Sequence, residues 1–211
     1  MNINDYKEYP KIYSSIEVEI IPLNNKYGYF INIDKKDKFD YHIYFNNNKE
    51  KIKKTYFTIE DKVEKIKILI NHEVKSFIKI FHNYNSIKSI SFKKFNRNNI
   101  NNMSYMFYGC ESLQEINLSK FNTDNVTNMK RMFSDSKSLR DLNLSKFNTN
   151  NVTNMHLCSI IVFLLKELNL FNFYSNIENM SFMLENCSSL KKINPFNFDT
   201  NNVKDMRSMF N

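Results

Sequence analysis

Cysteine and histidine, the residues that most often bind zinc, are few and scattered in this chain of 211 residues. The three cysteines form no Cys-x-x-Cys pair, and His72-Glu73 does not continue into the H-E-x-x-H pattern that binds zinc on a helix. The histidines do not cluster in the sequence; they are His42, His72, His82 and His156. We therefore predict that the chain has no metal site.

The composition also argues against an enzyme. Only two glycines are present, Gly28 and Gly109, so the chain lacks a glycine-rich loop that could cradle phosphate groups. No sequence pattern indicates a nucleophile with its activating base. We predict that the chain has no catalytic residues, no cofactor and no small-molecule substrate.

The cysteines follow a structural pattern instead. Cys110 and Cys187 occupy the same position of a repeated motif, three residues after a hydrophobic pair, and Ser136 fills that position in the unit between them. A small buried side chain is the expected role at such a position. Three cysteines in a chain of this length also fit a reducing compartment.

The elements that position all these residues come from a repeat of about 26 residues. Residues 121–146 read F-N-T-D-N-V-T-N-M-K-R-M-F-S-D-S-K-S-L-R-D-L-N-L-S-K, and residue 147 starts the same phrase again. Equivalent methionines lie at intervals of 26, 26, 25 and 26 residues; they are Met103, Met129, Met155, Met180 and Met206. Self-similarity at such a period is typical of proteins whose repeats pack on one another.

The first hydrophobic pattern of each unit predicts a short helix. Met129, Met132 and Phe133 lie at i, i+3 and i+4, which places them on one helical face. Thr127 or Asn128 could accept a hydrogen bond from the first turn of that helix.

The second pattern predicts a strand. Leu142 and Leu144 alternate with polar residues, as in a strand with one buried face. We interpret the recurring Asn125, Asn151 and Asn202 as an internal ladder that satisfies backbone groups of the loops, with a ligand role as the alternative.

A single unit cannot fold alone. It offers about seven apolar side chains worth roughly 2 kcal/mol each, whereas ordering its residues costs on the order of 1.5 kcal/mol apiece. Stacking on both neighbours is needed to make the core continuous. We therefore predict an α/β solenoid with short parallel strands on one side and short helices on the other.

The pattern N-V-T-N-M-x-x-M-F-x-x-C-x-S-L-x-x-L-N-L-S-x-F-N-T resembles the BspA-like leucine-rich repeat family, also called the Mycoplasma lipoprotein or surface-protein repeat. The resemblance extends from about Val74 to the last residue. It implies a right-handed solenoid with a non-catalytic role in binding or adhesion, and it offers no catalytic residues to transfer.

The first 63 residues lack the repeat and predict strands at 16–20, 29–33, 41–45 and 52–58, with a turn at 46–49. We interpret residues 1–63 as a small all-β cap on the end of the solenoid, with an independent ligand-binding domain as the alternative. Residues 64–211 would form the solenoid, with a degenerate first turn at 64–94 and regular repeats from 95.

Two features of the repeats are irregular. After Met155, residues 156–165 depart from the motif, although a reading from the third base of each codon could restore S-M-F-Y-N-C. Our hypothesis is a pair of compensating frameshifts over 156–164, with a strained helix or a membrane-touching patch as alternatives. The sequence also stops in the middle of a repeat, and we expect a truncated reading. An open edge there would allow end-to-end self-association.

The net charge of +8 is weak evidence for nucleic-acid binding, because the abundance of Lys and Asn indicates an AT-rich genome. No signal peptide or membrane-spanning run is visible, so we expect a cytoplasmic protein without membrane contact. A cell-surface location is the alternative if the sequence is a fragment.

Outward positions of the predicted strands form columns at the repeat spacing. The candidate binding residues are Asn117, Asn143, Asn169 and Asn194, with Glu115, Asp141 and Glu167 beside them and Phe171 and Phe196 on the other side. We predict that this strand-side surface binds a protein partner, in the manner of an interaction or adhesion scaffold. The alternatives are a solvated face, a basic nucleic-acid-binding repeat protein, and a non-functional member of an expanded repeat family.

Overall fold

Ten strands and two short 3-10 helices make up the regular secondary structure of the described residues. The computed structural model describes residues 15–71, 73–158, 166–170, 176–195 and 200–210. The 3-10 helices span Lys35–Asp40 and Ile59–Asp61. The strands are β1 (Ile16–Pro22), β2 (Gly28–Tyr29), β3 (Tyr41–Phe45), β4 (Tyr56–Phe57), β5 (Ile66–Ile70), β6 (Ile87–Phe95), β7 (Glu115–Asn117), β8 (Leu142–Asn143), β9 (Glu167–Leu170) and β10 (Lys192–Pro195).

Strand β1 lies at the centre of a five-stranded sheet with the order β3-β5-β1-β6-β7. It pairs antiparallel with both β5 and β6, and its alternating residues Ile16, Val18 and Ile20 are fully buried. The opposite face carries charge pairs: Glu17 lies 3.2 Å from Lys67. The period-two pattern therefore predicted this strand correctly, because one face of the strand is buried and the other is accessible to solvent.

This sheet crosses the domain boundary that the sequence suggests at residue 63. Strands β1 and β3 precede that residue, whereas β5, β6 and β7 follow it. The segment before residue 63 thus shares its backbone hydrogen bonds with the segment after it. Its role as a cap stays a prediction.

Successive repeats lie side by side with their equivalent positions in register. Strand β6 pairs in parallel with β7, and β8, β9 and β10 form a second parallel sheet. A further series of parallel bridges joins Ser76, Asn102, Asn128, Asn154, Asn179 and Asp205. The repeat therefore begins before its regular motif does, as the degenerate first turn at 64–94 predicts.

The segment predicted to be a helix is instead a series of turns. The N–H groups of Met129, Arg131 and Phe133 donate to carbonyl groups of the following repeat, at 3.0, 3.0 and 2.8 Å. An α-helix would use those same donors within its own segment. Because the donors are committed to the neighbouring repeat, the segment cannot be helical.

Backbone angles in these turns also exclude a right-handed helix. A positive φ recurs at one position of each repeat, between 50° and 60°, at Lys79, Tyr105, Arg131, Leu157, Phe182 and Ser208. A second series, four residues further on, comprises Asn83, Gly109, Asp135 and Asn186. Right-handed helices need negative φ at every residue, so two such residues within five positions prevent one.

The predicted fold class, a right-handed α/β solenoid of the leucine-rich-repeat type, is therefore wrong. The described residues contain sheets and turns, and their only helices are the two short 3-10 helices before residue 63. The pattern nevertheless identified the core correctly, since Met129, Met132 and Phe133 are completely buried. Side chains at i, i+3 and i+4 also converge when two tight turns follow each other.

Aromatic rings join the repeats through this core. The Phe107 ring stacks on Phe81 of the preceding repeat at 5.6 Å and on Phe133 of the following repeat at 5.4 Å, with interplanar angles of 7° and 12°. Phe121 and Phe147 stack in the same way at 5.6 Å. Each ring therefore buries its faces against the equivalent residue of its neighbours.

Candidate binding surfaces

Two asparagines of the strand columns, Asn117 and Asn143, lie on the protein surface and close a local turn. Asn117 and Asn143 are exposed, and their Oδ1 atoms accept hydrogen bonds from the N–H groups of Ser119 and Ser145, both at 3.0 Å. This contact ends each strand, as Asx-turns commonly do. The fold therefore uses the amide oxygen of each residue. A binding role for the amide nitrogen stays a prediction.

The columns themselves are in register where the strands pair. Asn143 lies opposite Asn169, and Asn169 lies opposite Asn194, across the parallel strands β8, β9 and β10. Adjacent strands in a sheet are about 4.8 Å apart. The structure therefore brings three of the four candidate asparagines into one row.

Among the described strands, the acidic candidates are in strand register only at β9 and β10. Glu115 and Asp141 are exposed, and Glu167 lies opposite Lys192 in the register of β9 and β10. The sign of the charge thus changes at the last strand of the row. The aromatic candidates Phe171 and Phe196 lie outside the described residues, and their role stays a prediction.

The asparagine ladder predicted from the loops is confirmed at two positions. The Nδ2 group of Asn125 donates to the Asn98 carbonyl at 2.7 Å, and that of Asn151 donates to the Asp124 carbonyl at 2.6 Å. Each bond crosses to the preceding repeat. These side chains are exposed at the edge of the loops, so the ladder is external and not internal.

A second structural asparagine occurs beside the methionine of each repeat. The Asn128 Oδ1 atom accepts a hydrogen bond from the Lys130 N–H group at 2.9 Å. The same bond recurs between Asn102 and Ser104, Asn154 and His156, Asn179 and Ser181, and Asp205 and Arg207. Sequence reasoning named Asn128 as an acceptor but assigned it to a helix. The recurring N-M pair was the signal for a turn.

The cysteine position holds a buried hydrogen-bond donor. The Cys110 thiol donates to the Phe81 carbonyl at 2.7 Å, and the Ser136 hydroxyl donates to the equivalent Phe107 carbonyl at 2.7 Å. Burial raises the pKa of Cys110 to about 12, which keeps the thiol protonated. The predicted small buried role is confirmed for Cys110, whereas Cys187 is only half-buried.

The two histidines of the repeats have structural neighbours. His82 stacks on Tyr108 with ring centroids 5.5 Å apart, and His156 Nδ1 lies 2.8 Å from the Ser181 hydroxyl. Burial lowers the pKa of both imidazoles, and the nearby lysine Lys79 lowers that of His82 further. Both rings are therefore neutral at pH 7.

A basic and aromatic cluster lies on the turns. The Lys79 ammonium group is 5.6 Å from the centre of the Tyr105 ring, and the Arg131 guanidinium carbon is 6.0 Å from it. These cations come from the repeats before and after Tyr105. The ring is therefore engaged by the protein's own cations and is poorly placed to stack on a nucleic-acid base.

Sequence reasoning missed a group of exposed large hydrophobic side chains, three of them aromatic, near the N-terminal strands. Tyr27, Tyr29, Tyr56 and Ile59 are 46%, 59%, 43% and 61% exposed. Three clefts open around them, with volumes of 510, 560 and 310 Å³, and Tyr27 lines all three. The Tyr-Gly-Tyr sequence of residues 27–29 was the available signal. It lies outside the repeat and carries no periodicity of its own.

These observations define a mainly β repeat protein, in which parallel bridges and polar turn residues join one repeat to the next. Within that class, the chain belongs to the family described as "Mycoplasma protein of unknown function, DUF285", whose model matches residues 75–159 and 159–211. The leucine-rich-repeat part of the sequence resemblance is not confirmed. No curated protein and no solved structure matches the chain.

The two family matches meet at residue 159, inside the segment that departs from the motif. Residues before that point keep their place in the repeat. The Leu157 N–H group donates to the Ser181 carbonyl at 3.1 Å, and Cys158 is buried at the position of Met132. Residues 159–165 lie outside the described residues, so the frameshift hypothesis remains a prediction about the gene.

Among the described residues, none of the helices has the length and hydrophobicity that crossing a bilayer requires.

Proposed function

We propose that this chain is a non-enzymatic binding protein that contacts a protein partner through the polar columns of its parallel strands. The strand-side surface comprises Glu115, Asn117, Asp141, Asn143, Glu167, Asn169, Lys192 and Asn194. The observation that supports it is the parallel register, which sets equivalent polar residues of successive repeats side by side.

A surface of this kind can bind by repetition. Each carboxylate or amide offers one weak contact, but a row of them meets an extended partner at several points together. The backbone under the row is held by the strand pairing and by the Asx-turns after Asn117 and Asn143. A rigid backbone lowers the ordering cost of association.

A non-catalytic role is supported by the positions of the reactive groups. The Cys110 thiol is buried and committed to a backbone carbonyl, and His82 and His156 belong to different repeats. Catalysis needs an accessible nucleophile within hydrogen-bond reach of a base. Ser181 lies 2.8 Å from His156, but it is buried and its hydroxyl donates to the Asn179 Oδ1 atom at 2.7 Å. The contacts of Cys110, His82 and His156 hold turns and rings in place.

The proposal is tested by charge reversal on the strand side. Glu115→Lys combined with Asp141→Lys should lower the recovery of captured proteins about tenfold or more, because like charges replace complementary ones. The matched control is Glu50→Lys with Glu64→Lys, which changes the net charge equally at exposed residues away from the strands. Quantitative mass spectrometry of proteins captured by the immobilised chain provides the measurement.

Equal recovery by both double variants would contradict the proposal. A separate variant, Phe171→Ser with Phe196→Ser, tests the aromatic side of the predicted surface. Loss of recovery with this variant and not with the control would extend the binding surface to those positions. Unchanged recovery would restrict it to the polar columns.

Nucleic-acid binding is the second candidate function, because the chain carries a net charge of +8. Such binding would weaken steeply as salt rises, since each neutralised phosphate releases counterions. A titration with a fluorescent single-stranded RNA at two salt concentrations measures this dependence. Absence of binding at low salt would exclude the candidate.

A further inference from the structure

The smallest of the three clefts near the N-terminal strands has the chemistry of a ligand site. It is lined by Lys26, Tyr27, Tyr29, Asn83, Tyr84, Asn85 and Ser86 and has a volume of 310 Å³. We call it the tyrosine cleft. Small-molecule sites in proteins commonly occupy about 300–1,000 Å³, so the cleft can hold one or two rings of ligand.

Two exposed tyrosine side chains line this cleft. Tyr29 is 59% exposed and Tyr27 is 46% exposed. The Tyr29 ring also lies 5.7 Å from Tyr56, at an angle of 60°, which continues the aromatic surface into the neighbouring cleft. Neighbouring exposed aromatic rings are uncommon on a protein surface unless they contact a ligand or partner.

Hydrogen bonds hold the backbone at Tyr29 in place. The buried Ser86 hydroxyl donates to the Tyr29 carbonyl at 2.9 Å, and the Ser86 carbonyl accepts from the Leu23 N–H group at 2.8 Å. On the other side of Tyr29, the Phe30 N–H group donates to the Thr55 carbonyl at 3.0 Å. The backbone at Tyr29 is therefore fixed, which lowers the cost of ordering this residue around a ligand.

The polar groups of the cleft are amides and a phenol. The Asn85 Oδ1 atom accepts from the Glu111 N–H group at 3.0 Å, which fixes the amide plane and leaves Nδ2 as an oriented donor. Asn83 is exposed on the same turn. Burial raises the pKa of Tyr84 to about 12, so its hydroxyl stays neutral and can donate a hydrogen bond.

The charge of this region differs from that of the whole chain. Lys26 is the one cation lining the tyrosine cleft, and its ammonium group donates to the Ser112 hydroxyl at 3.0 Å. The two neighbouring clefts add Lys62, Glu60 and Glu64, so the lining of the three clefts has no net charge. In a chain with a net charge of +8, a neutral surface is complementary to a neutral ligand.

We propose that the tyrosine cleft binds a neutral oligosaccharide. The rings of Tyr27 and Tyr29 contact the C–H faces of the sugar rings, and Asn83, Asn85 and Tyr84 hydrogen-bond to its hydroxyl groups. An apolar peptide would need a more hydrophobic lining than one that contains amides, a lysine and a serine. None of the residues that line the tyrosine cleft belongs to the strand-side surface, so the inference goes beyond the proposed function and does not depend on it.

The test is binding of the full chain to immobilised oligosaccharides. The neutral probes are N-acetyllactosamine, lacto-N-tetraose, cellotetraose and chitotetraose, and the acidic probes are sialyllactose and a heparin tetrasaccharide. We expect binding to at least one neutral probe, reduced about tenfold or more by Tyr29→Ala, because removing a central aromatic anchor has effects of that size. Tyr27→Ala should reduce binding in the same way, whereas Tyr29→Phe should retain it.

The matched control is Phe39→Ala. Phe39 is 83% exposed and lines none of the three clefts, so its loss should leave glycan binding unchanged. Thermal unfolding of each variant identifies any that fail to fold, and Tyr27→Ala then serves in place of Tyr29→Ala. Three outcomes would overturn the proposal: no binding to a neutral probe, binding only to the acidic probes, or equal binding by wild type and both tyrosine variants. Capture of uncharged peptides in place of sugars would also overturn it.

Discussion

Single polar side chains decide the backbone path of this protein. Asparagine serves one purpose at the end of the strands, another beside each methionine and a third in the loops, as Asn143, Asn128 and Asn125 show. Codon usage alone therefore does not explain why asparagine is abundant at these positions. Their side chains satisfy backbone groups that neither a helix nor a sheet would satisfy.

The turn beside each methionine yields the first prediction at this scale. Asn128→Ala removes the acceptor for the Lys130 N–H group and should lower the free energy of unfolding by about 1 kcal/mol. Asn128→Asp should cost much less, because Asp205 makes the same bond to Arg207 at 3.1 Å in its own repeat. Urea unfolding of the two variants measures the difference. Equal losses would show that the acceptor is not what stabilises the turn.

The buried Cys110 yields the second prediction at this scale. Its raised pKa of about 12 keeps Cys110 a protonated thiol at pH 8, and the thiolate is the reactive form. Iodoacetamide should therefore label the half-buried Cys187 well before Cys110 in the folded chain. Mass spectrometry of the labelled peptides gives both rates. Labelling of Cys110 as fast as in urea would contradict the burial.

Replacement of the same cysteine separates volume from hydrogen bonding. Cys110→Ser should be tolerated, because Ser136 donates the equivalent bond to the Phe107 carbonyl. Cys110→Val keeps an apolar side chain but leaves the Phe81 carbonyl without this donor, which should cost about 1–3 kcal/mol. Chemical denaturation compares the two variants, and a less stable serine variant would refute the role of the donor.

At the scale of elements, the turns show what the sequence could and could not predict. Periodicity identified the buried positions, such as Met129 and Phe133, because burial depends only on where side chains converge. It did not identify the conformation, since two consecutive turns present the same spacing as one helical turn. The positions of Asn83 and Gly109 offered a signal, because both residue types tolerate positive φ. Tyr105 and Arg131 gave none, because such residues seldom adopt that region.

Gly109 tests the geometry of these turns. Its φ is 65°, and a Cβ atom added there would lie 1.9 Å from the Asn83 Oδ1 atom. Gly109→Ala should therefore lower the free energy of unfolding by about 1–3 kcal/mol, from backbone strain and the displaced amide. Ser208→Gly is the opposite case: φ is 50° at an exposed position, and glycine should be neutral or stabilising by up to about 1 kcal/mol. Thermal unfolding compares the two variants. If Gly109→Ala were more stable than Ser208→Gly, the positive φ angles assigned to these turns would be wrong.

At the scale of the whole molecule, the sequence predicted that each repeat needs its neighbours to be stable. The structure shows the contacts that join successive repeats. Equivalent residues pair through parallel bridges, and N–H groups such as that of Phe107 donate to the next repeat. The strand-side columns could be predicted because they share this period. The tyrosine cleft could not, because it joins Tyr29 of the first strands to Asn83 of the first repeat, across more than fifty residues.

Mutual dependence of the repeats predicts that damage to one spreads to its neighbours. Phe107 is fully buried between Phe81 and Phe133, so Phe107→Ala removes two ring contacts and leaves a cavity, at a cost of about 3–5 kcal/mol. Hydrogen exchange should then show lost protection in the turns around Phe81 and Phe133 as well as around residue 107, since their N–H groups donate across repeats. Phe39→Ala, at an 83% exposed ring, should change none of these rates. Loss of protection confined to residues 103–110 would mean that each repeat is stable by itself, contrary to the continuous core that the stacked rings form.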